Sequence, residues 1–219
     1  MNKKVERFRK SIIENGLDSA IVFKPENRRY LSGFTGSAGY VVITEEKNFF
    51  ITDFRYVQQS NKQCKGFEII EHTNDRSIYD ILNEIGLKKL GFEDTFVTVS
   101  QYNDFAEKLN GIELVPLKDT LSKIRVIKEE DELTEIRKAA EIADKTFEYI
   151  CSILKPGITE WEVSLEIESF MKKNGASGTS FESIVASGVR SSLPHGIASQ
   201  KVIEDGDLVT LDFGCIYNG

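Results

Sequence analysis

The sequence predicts an α/β protein: an N-terminal mixed sheet flanked by helices, followed by a part with a different organisation. Three observations support this. Short apolar runs alternate with segments of helical periodicity up to about residue 116, which is typical of a layered α/β domain. Two of these runs, 40–44 and 48–52, are separated by three polar residues, so they form a hairpin and the sheet is not all parallel. Beyond residue 122 a long amphipathic helical pattern replaces the alternation.

The elements of the first part follow from periodicity and from turn residues. The first helix places its apolar residues on one face and ends at Asn15-Gly16, a typical stop signal. Asp53 is a residue type that caps helices, so we expect it to begin a short helix after the hairpin. The predicted elements are, in order, helix 3–15, strand 20–23, hairpin 40–44 and 48–52, a short helix after Asp53, strand 67–71, helix 77–85, strand 90–92, helix 100–109 and strand 112–115.

The segment 116–122 is the expected boundary, which gives domains 1–120 and 121–219. A helix from Glu130 to Leu154 follows, and Lys155-Pro156-Gly157 ends it. A second helix begins at Thr159, where Thr159 and Glu162 form a capping box. Two strand-like runs, 183–186 and 208–213, complete the chain. The predicted buried stripe of the long helix comprises Leu133, Ile136, Ala140, Ala143, Phe147, Ile150 and Leu154.

Composition and charge exclude several classes of protein. The 219 residues are 40% apolar and 29% charged, an ordinary globular balance. A net charge of −7 argues against a protein that binds nucleic acid through its phosphates. The N-terminus is too charged for a secretion signal, and no apolar stretch is long enough for a membrane span. Three widely spaced cysteines favour a reducing compartment, so we expect a cytoplasmic protein.

Three motifs invite a functional interpretation that the rest of the sequence does not support. The Gly-rich segment 33–39 lacks the Gly-Lys-Ser/Thr end of a phosphate-binding loop, which favours a structural turn. Asp212-Phe213-Gly214 has the letters of a kinase magnesium site, but the other kinase motifs are missing. Ser192 and His195 lie close in sequence, but no G-x-S-x-G elbow accompanies them.

Asp212 and His195 are the candidate functional residues. Asp212 is the one carboxylate in an apolar strand, where a buried charge is costly unless it is paired or bound to metal. The alternative is an aspartate at a strand end that faces solvent. His195 lies between Pro194 and Gly196, on a sharp loop that could direct an imidazole into a cleft. For His72, which follows a strand, a surface or loop-anchoring role is favoured.

Several collinear segments resemble one family. Those of the second part are similar to the pita-bread-fold metallopeptidases, among them the Xaa-Pro aminopeptidases and prolidases, and those of the first part resemble a creatinase-type N-terminal domain. The segments of the second part are 125–128, 157–160, 180–188, 193–196 and 206–214, and those of the first part are 30–37 and 52–56. The second part would then be the first half of an α+β pita-bread catalytic domain.

The resemblance implies a hydrolase that cleaves the peptide bond before proline in dipeptides or longer peptides. Two divalent ions, manganese, cobalt or zinc, would share and activate a water molecule. Asp212 matches the first metal-ligand aspartate of the family, and His195 matches a loop histidine that contacts the substrate rather than the metal. Family members with this N-terminal domain commonly pair, so we expect a homo-oligomer and neither a nucleic-acid nor a membrane partner.

The sequence also departs from the family pattern. After Tyr217-Asn218-Gly219 the family continues to a second aspartate, a ligand histidine and two ligand glutamates, which have no positions here. We therefore expect a fragment of a longer enzyme, inactive by itself and without bound metal. The alternative is a non-catalytic creatinase-like module that binds peptides or proteins. Retention of both Asp212 and His195 favours the enzyme.

Overall fold

The computed structural model describes residues 2–219 of the chain. These residues divide into two compact units, one that ends at Ile127 and one that comprises Lys128–Gly219. The sequence predicts the division after residue 120, and the unit boundary follows Ile127. Within residues 2–219, none of the helices has the length and apolar character that crossing a membrane requires.

The first unit is a mixed sheet with helices on both faces. Its strands are β1 Ser19–Val22, β2 Tyr40–Thr44, β3 Asn48–Thr52, β4 Glu68–Glu71, β5 Lys89–Phe92 and β6 Glu113–Pro116. Its helices are α1 Lys3–Glu14, α2 Pro25–Ser32, α3 Val57–Gln63, α4 Ile78–Ile85, α5 Val99–Lys108 and α6 Thr120–Val126.

The sheet order among the described strands is β4-β3-β2-β1-β5-β6. Strand β2 runs antiparallel to both of its neighbours, and the other pairs are parallel, so the predicted hairpin and mixed sheet are confirmed. Alternate residues of β1 enter different cores. Ala20 and Val22 pack with Phe8 of α1, whereas Ile21 packs with Ile81 of α4.

Helix α2 is an element that the sequence analysis missed. Its sequence is mostly polar, and its N-terminal flank has no side-chain cap of its own. The two residues that precede the helix are instead held by Glu93, which directly follows β5. One carboxylate oxygen accepts the backbone N–H of Phe23 at 2.6 Å and of Lys24 at 2.8 Å, and the other accepts the Asn27 side chain at 2.6 Å. A signal some 70 residues away along the chain cannot be found from local sequence.

One further expectation for the first unit is wrong. Asp53 does not cap α3, whose N-cap is Tyr56. Asp53 instead accepts hydrogen bonds from the backbone and guanidinium of Arg55, at 3.0 and 2.8 Å. The segment 116–122, which the sequence predicts as the domain boundary, contains the end of β6 and the start of α6. Leu117 and Leu121 in this segment are buried against the core.

The second unit contains two long helices and two small sheets. Its helices are α7 Glu130–Ile153 and α8 Glu160–Lys173, and its strands are β7 Gly178–Thr179, β8 Ile184–Ser187, β9 Val209–Asp212 and β10 Cys215–Ile216. Strands β8 and β9 pair antiparallel, as do β7 and β10. The capping box at Thr159 and Glu162 is confirmed. A 3-10 turn over Gly188–Ser192 follows β8.

The predicted buried stripe of α7 is partly wrong. Ile150 is buried, but Ile136 and Phe147 are 52% and 53% exposed. Ile142 is buried instead, and it packs in one cluster with Ile167 of α8. Helix α7 carries apolar residues around much of its circumference, so spacing alone does not select the side that meets α8.

We predict that Glu93→Ala lowers the free energy of unfolding of the first unit by about 2–4 kcal/mol. The change leaves the buried N–H of Phe23, the half-buried N–H of Lys24 and the Asn27 amide without their acceptor. Urea unfolding measures the effect. The matched control is Glu113→Ala, which removes an exposed ion pair with Lys89 and should cost less than about 1 kcal/mol. Equal effects of the two variants would contradict the role of Glu93.

Candidate functional site

Asp212 is the last residue of β9, and its side chain is exposed. It pairs with Ile184 of β8. The residues that precede it in the strand are half-buried rather than buried. In this chain the carboxylate therefore faces solvent at a strand end, which was the alternative to a buried charge.

His195 lies on an exposed loop that returns to the same small sheet. Two residues further on, Ile197 forms an isolated antiparallel bridge with Ile184. Ile184 thus pairs with Asp212 and with Ile197, so two strand spacings, about 10 Å, separate the backbones of these two residues. The structure therefore places Asp212 in the small sheet and His195 in the loop that joins this sheet at Ile197.

The residues present do not by themselves fit a centre of two metal ions. Among residues 2–219, no group of three or more histidine, cysteine, aspartate or glutamate side chains could hold a metal ion. Asp207, the acid nearest to Asp212 along the chain, is paired with Lys201 at 2.6 Å. Asp212 therefore stands as a single candidate ligand.

The other motifs have structural roles. Ser192 donates its hydroxyl to the Val189 carbonyl at 2.9 Å, which is consistent with rejecting a serine hydrolase. The Gly-rich segment is held by Arg28, whose guanidinium donates to the carbonyls of Gly36 and Gly39 at 2.7 and 2.9 Å. Gly39 has φ +152°, and a Cβ there would lie 2.6 Å from a ring atom of Phe50. This segment is a tight turn, as expected.

Sequence patterns did not reveal a buried carboxylate that contacts residues on both sides of His195 in the chain. Glu160, the first residue of α8, is completely buried. Its Oε1 accepts the backbone N–H of Ser187 at 2.8 Å and the Ser187 hydroxyl at 3.0 Å. Its Oε2 accepts the corresponding groups of Ser199 at 3.1 and 2.6 Å, and Arg190 Nε at 3.1 Å. In sequence, Glu160 is simply an acid in the first turn of a helix, so these contacts left no local signal.

Electrostatics keep Glu160 ionised despite its burial. Desolvation by itself would raise the pKa of this carboxyl. Hydrogen bonds from Ser199 and Ser187 outweigh that effect and hold the pKa of Glu160 below its usual value. Because the ion accepts five or more hydrogen bonds, the cost of burying its charge is offset.

Lys201 makes a second polar contact with Ser187, at the start of the loop that carries His195. Lys201 donates its ammonium to the Ser187 hydroxyl at 2.9 Å and to Asp207 at 2.6 Å, and this lysine lowers the pKa of Asp207. Gly188 has φ +56°, and a Cβ there would lie 2.5 Å from the Asp207 carboxylate. A side chain at position 188 would therefore displace Asp207.

Comparison with known proteins identifies both units. The family model for the creatinase/prolidase N-terminal domain matches residues 4–127, and that for metallopeptidase family M24 matches residues 134–219. The fold is thus an N-terminal domain of the creatinase/prolidase type followed by part of a peptidase domain. The chain belongs to the proteins with a creatinase/prolidase N-terminal domain, and its second unit matches metallopeptidase family M24. The family and the fold class predicted from the sequence are confirmed.

Individual relatives are similar over nearly the whole chain. The Bacillus subtilis protein called uncharacterized peptidase YqhT is 46% identical over 218 residues, which are 99% of this chain and 62% of that protein. The Xaa-Pro dipeptidase of Pyrococcus furiosus is 36% identical over 220 residues, 100% of this chain and 62% of that protein. The solved structure of Xaa-Pro dipeptidase from Bacillus anthracis superposes with a TM-score of 0.93 at 46% identity, covering 99% of this chain and 61% of that one. The chain thus spans about 62% of the length of these curated relatives.

We predict that the stability of the second unit depends on pH through Glu160. Because the folded-state pKa is below the ordinary value of about 4.3, the ionised carboxylate stabilises the folded unit above that pH. This contribution is lost as the pH falls through the lowered pKa. In Glu160→Gln, unfolding free energy should therefore vary less with pH below about 4.5 than in the unsubstituted chain.

Fluorescence of Trp161, the single tryptophan of the chain, reports the unfolding of this unit between pH 3 and 6. Glu168→Gln is the control, since it removes an exposed carboxylate from the same helix. An unchanged pH slope in Glu160→Gln would contradict the prediction.

Proposed function

We propose that this chain forms part of a metal-dependent peptidase of the Xaa-Pro aminopeptidase or Xaa-Pro dipeptidase type. Such an enzyme hydrolyses the peptide bond before proline in dipeptides or longer peptides. The observation that carries the proposal is that Ile184 pairs with Asp212 and also with Ile197, a residue of the loop that contains His195, in a unit that matches the M24 family. The names of the similar dipeptidases from Pyrococcus and Bacillus support the substrate class.

Each candidate residue has a distinct proposed role. Asp212 is a metal ligand, because a carboxylate suits divalent manganese, cobalt or zinc. His195 contacts the substrate near the bond that is cleaved. The remaining ligands of two ions would have to come from outside residues 2–219, which contain no metal-binding cluster of their own. No catalytic step through the ions therefore follows from these residues alone.

The domain division, the oligomeric state and the cellular location are further parts of the proposal. Domains 1–120 and 121–219 would correspond to the two matched families, with the first domain serving oligomerisation or access to the active site rather than chemistry. A homo-oligomer and a cytoplasmic location stay predictions. The free thiols of Cys64, Cys151 and Cys215 support a reducing compartment.

A second candidate function is a peptide- or protein-binding module without catalysis. The lack of a metal-binding cluster within the described residues favours it. Reading the gene beyond the codon for Gly219 distinguishes the two candidate functions. An aspartate within a few residues, followed by a histidine and two glutamates, supports the enzyme, and their absence supports the module.

We predict that His195→Ala lowers kcat/KM on an Xaa-Pro dipeptide by about 10²–10⁴, the range of a positioned acid–base or polar group. The assay uses a fusion enzyme, in which residues 1–219 precede the part of the Bacillus anthracis dipeptidase that has no counterpart here. His72→Ala is the control, since it changes the other histidine of the chain, and it should leave the rate unchanged. Equal rates for both variants would contradict the role of His195.

We also predict that the 219-residue chain alone is inactive and binds no pair of metal ions. A two-metal site requires several carboxylates and a histidine converging on ions about 3.5–4 Å apart, and Asp212 is a single ligand. Calorimetric titration with manganese, cobalt and zinc measures binding, and an Xaa-Pro dipeptide and a longer Xaa-Pro peptide measure turnover. Tight binding of two ions, or turnover that persists after repurification, would show that the ligand count is wrong.

A further inference from the structure

The segment 188–198, which we call the His195 loop, has both of its ends attached to the same buried carboxylate. Ser187 directly precedes the loop and Ser199 directly follows it. Glu160 accepts the backbone N–H and the hydroxyl of each of these serines. The two ends of an eleven-residue excursion are therefore held together by one side chain that belongs to neither end.

Arg190 extends this attachment into the loop itself. Its Nε donates to Glu160 at 3.1 Å, and its Nη2 donates to the Ile197 carbonyl at 2.7 Å. Ile197 is the residue that bridges to Ile184, the partner of Asp212. A continuous set of contacts thus leads from Glu160 through Arg190 to the sheet position that sets the spacing between the loop and Asp212.

The start of helix α8 does not require the Glu160 carboxylate. Thr159 already caps the helix by accepting the N–H of Glu162 at 3.1 Å, and Glu162 accepts the N–H of Thr159 at 2.8 Å. The donors to the Glu160 carboxylate that we have described all lie outside α8. Helix capping therefore does not explain why the Glu160 carboxylate is buried. Full burial of a charged group carries a large desolvation cost, which its contacts with the loop must offset.

We propose that Glu160 is a positioning residue, whose carboxylate fixes the His195 loop and thereby the place of the His195 imidazole relative to Asp212. Glu160 touches neither substrate nor metal in this role. The hydrogen bonds of Glu160 with Ser187, Arg190 and Ser199 support the structural part of this proposal. Its consequence for catalysis rests on the proposed peptidase function. A side chain that orients a reacting group through another element affects rate, because small misplacements of that group are costly.

The first test is hydrogen exchange in the 219-residue chain, with Glu160→Gln compared with Glu162→Gln. Both variants remove one carboxylate from the same helical turn, but only Glu160 contacts the loop. We expect the amides of Leu193, Gly196 and Ile197 to exchange about tenfold faster or more in Glu160→Gln, while the α8 amide of Met171 stays within about twofold. Unchanged loop exchange, or equal acceleration in the loop and in α8, would overturn the proposal.

A milder variant covers the case in which Glu160→Gln fails to fold. Ser199→Ala removes one hydroxyl donor at 2.6 Å and keeps the Ser199 backbone contact. It should accelerate exchange in the same loop amides by a smaller factor. The imidazole NMR signals of the two histidines give a second readout, in which His195 shifts and His72 serves as the internal reference. A shift of neither signal, with unchanged loop exchange, would contradict the proposal.

The second test is a double-mutant cycle in the fusion enzyme. Glu160→Gln should lower kcat by about 10–10²-fold with little change in KM, and should have almost no further effect in a His195→Ala background. If the two substitutions lower kcat independently, so that the loss in the double variant is the product of the two single losses, Glu160 does not act through His195. If His195→Ala alone leaves the rate unchanged, the proposed role of His195 fails, while the exchange experiment still decides whether Glu160 fixes the loop.

Discussion

A buried carboxylate must find enough donors to offset its desolvation, and this constraint organises the polar interior of both units. Among the described residues the buried carboxylates are Glu93 in the first unit and Glu160 in the second. Each accepts backbone N–H groups from segments that are distant in sequence. Directional bonds of this kind fix the path of a chain in a way that apolar packing, which tolerates sliding, does not.

The two carboxylates differ in what they fix. Glu93 binds the two residues that precede α2 and the Asn27 side chain within it, and so holds α2 at the ends of β1 and β5. Glu160 lies at the start of a helix that is already capped, and its bonds go to the loop that carries His195. The first therefore serves folding, whereas the second places a costly charge beside a functional candidate. Local rules of stability are most often broken where function requires it.

The sequence was sufficient for elements whose signals are local. The hairpin at 40–44 and 48–52 and the capping box at Thr159 depend on residues three to five positions apart, and the structure has both. Helix α2 and the Glu160 contacts depend on partners 27 to 70 residues away. Asp212 and His195 were found through motifs, but the pairing of Ile184 with both Asp212 and Ile197, which lies two residues beyond His195, emerges only once β8 and β9 are aligned. Contacts between residues far apart in the chain therefore could not be predicted from local sequence patterns.

The second unit shows why such polar contacts matter to its stability. Phe147, Val189 and Leu208 remain 53%, 92% and 78% exposed, so their apolar area contributes little to folding within this chain. Each of the two small sheets of this unit has two strands in the described chain, and isolated two-stranded sheets are marginally stable. The apolar core is the cluster between α7 and α8, which includes Ile142 and Ile167, together with the inner side of β8 and β9. The His195 loop extends beyond that core, so its order must come from hydrogen bonds, and the Glu160 carboxylate accepts bonds from both of its ends.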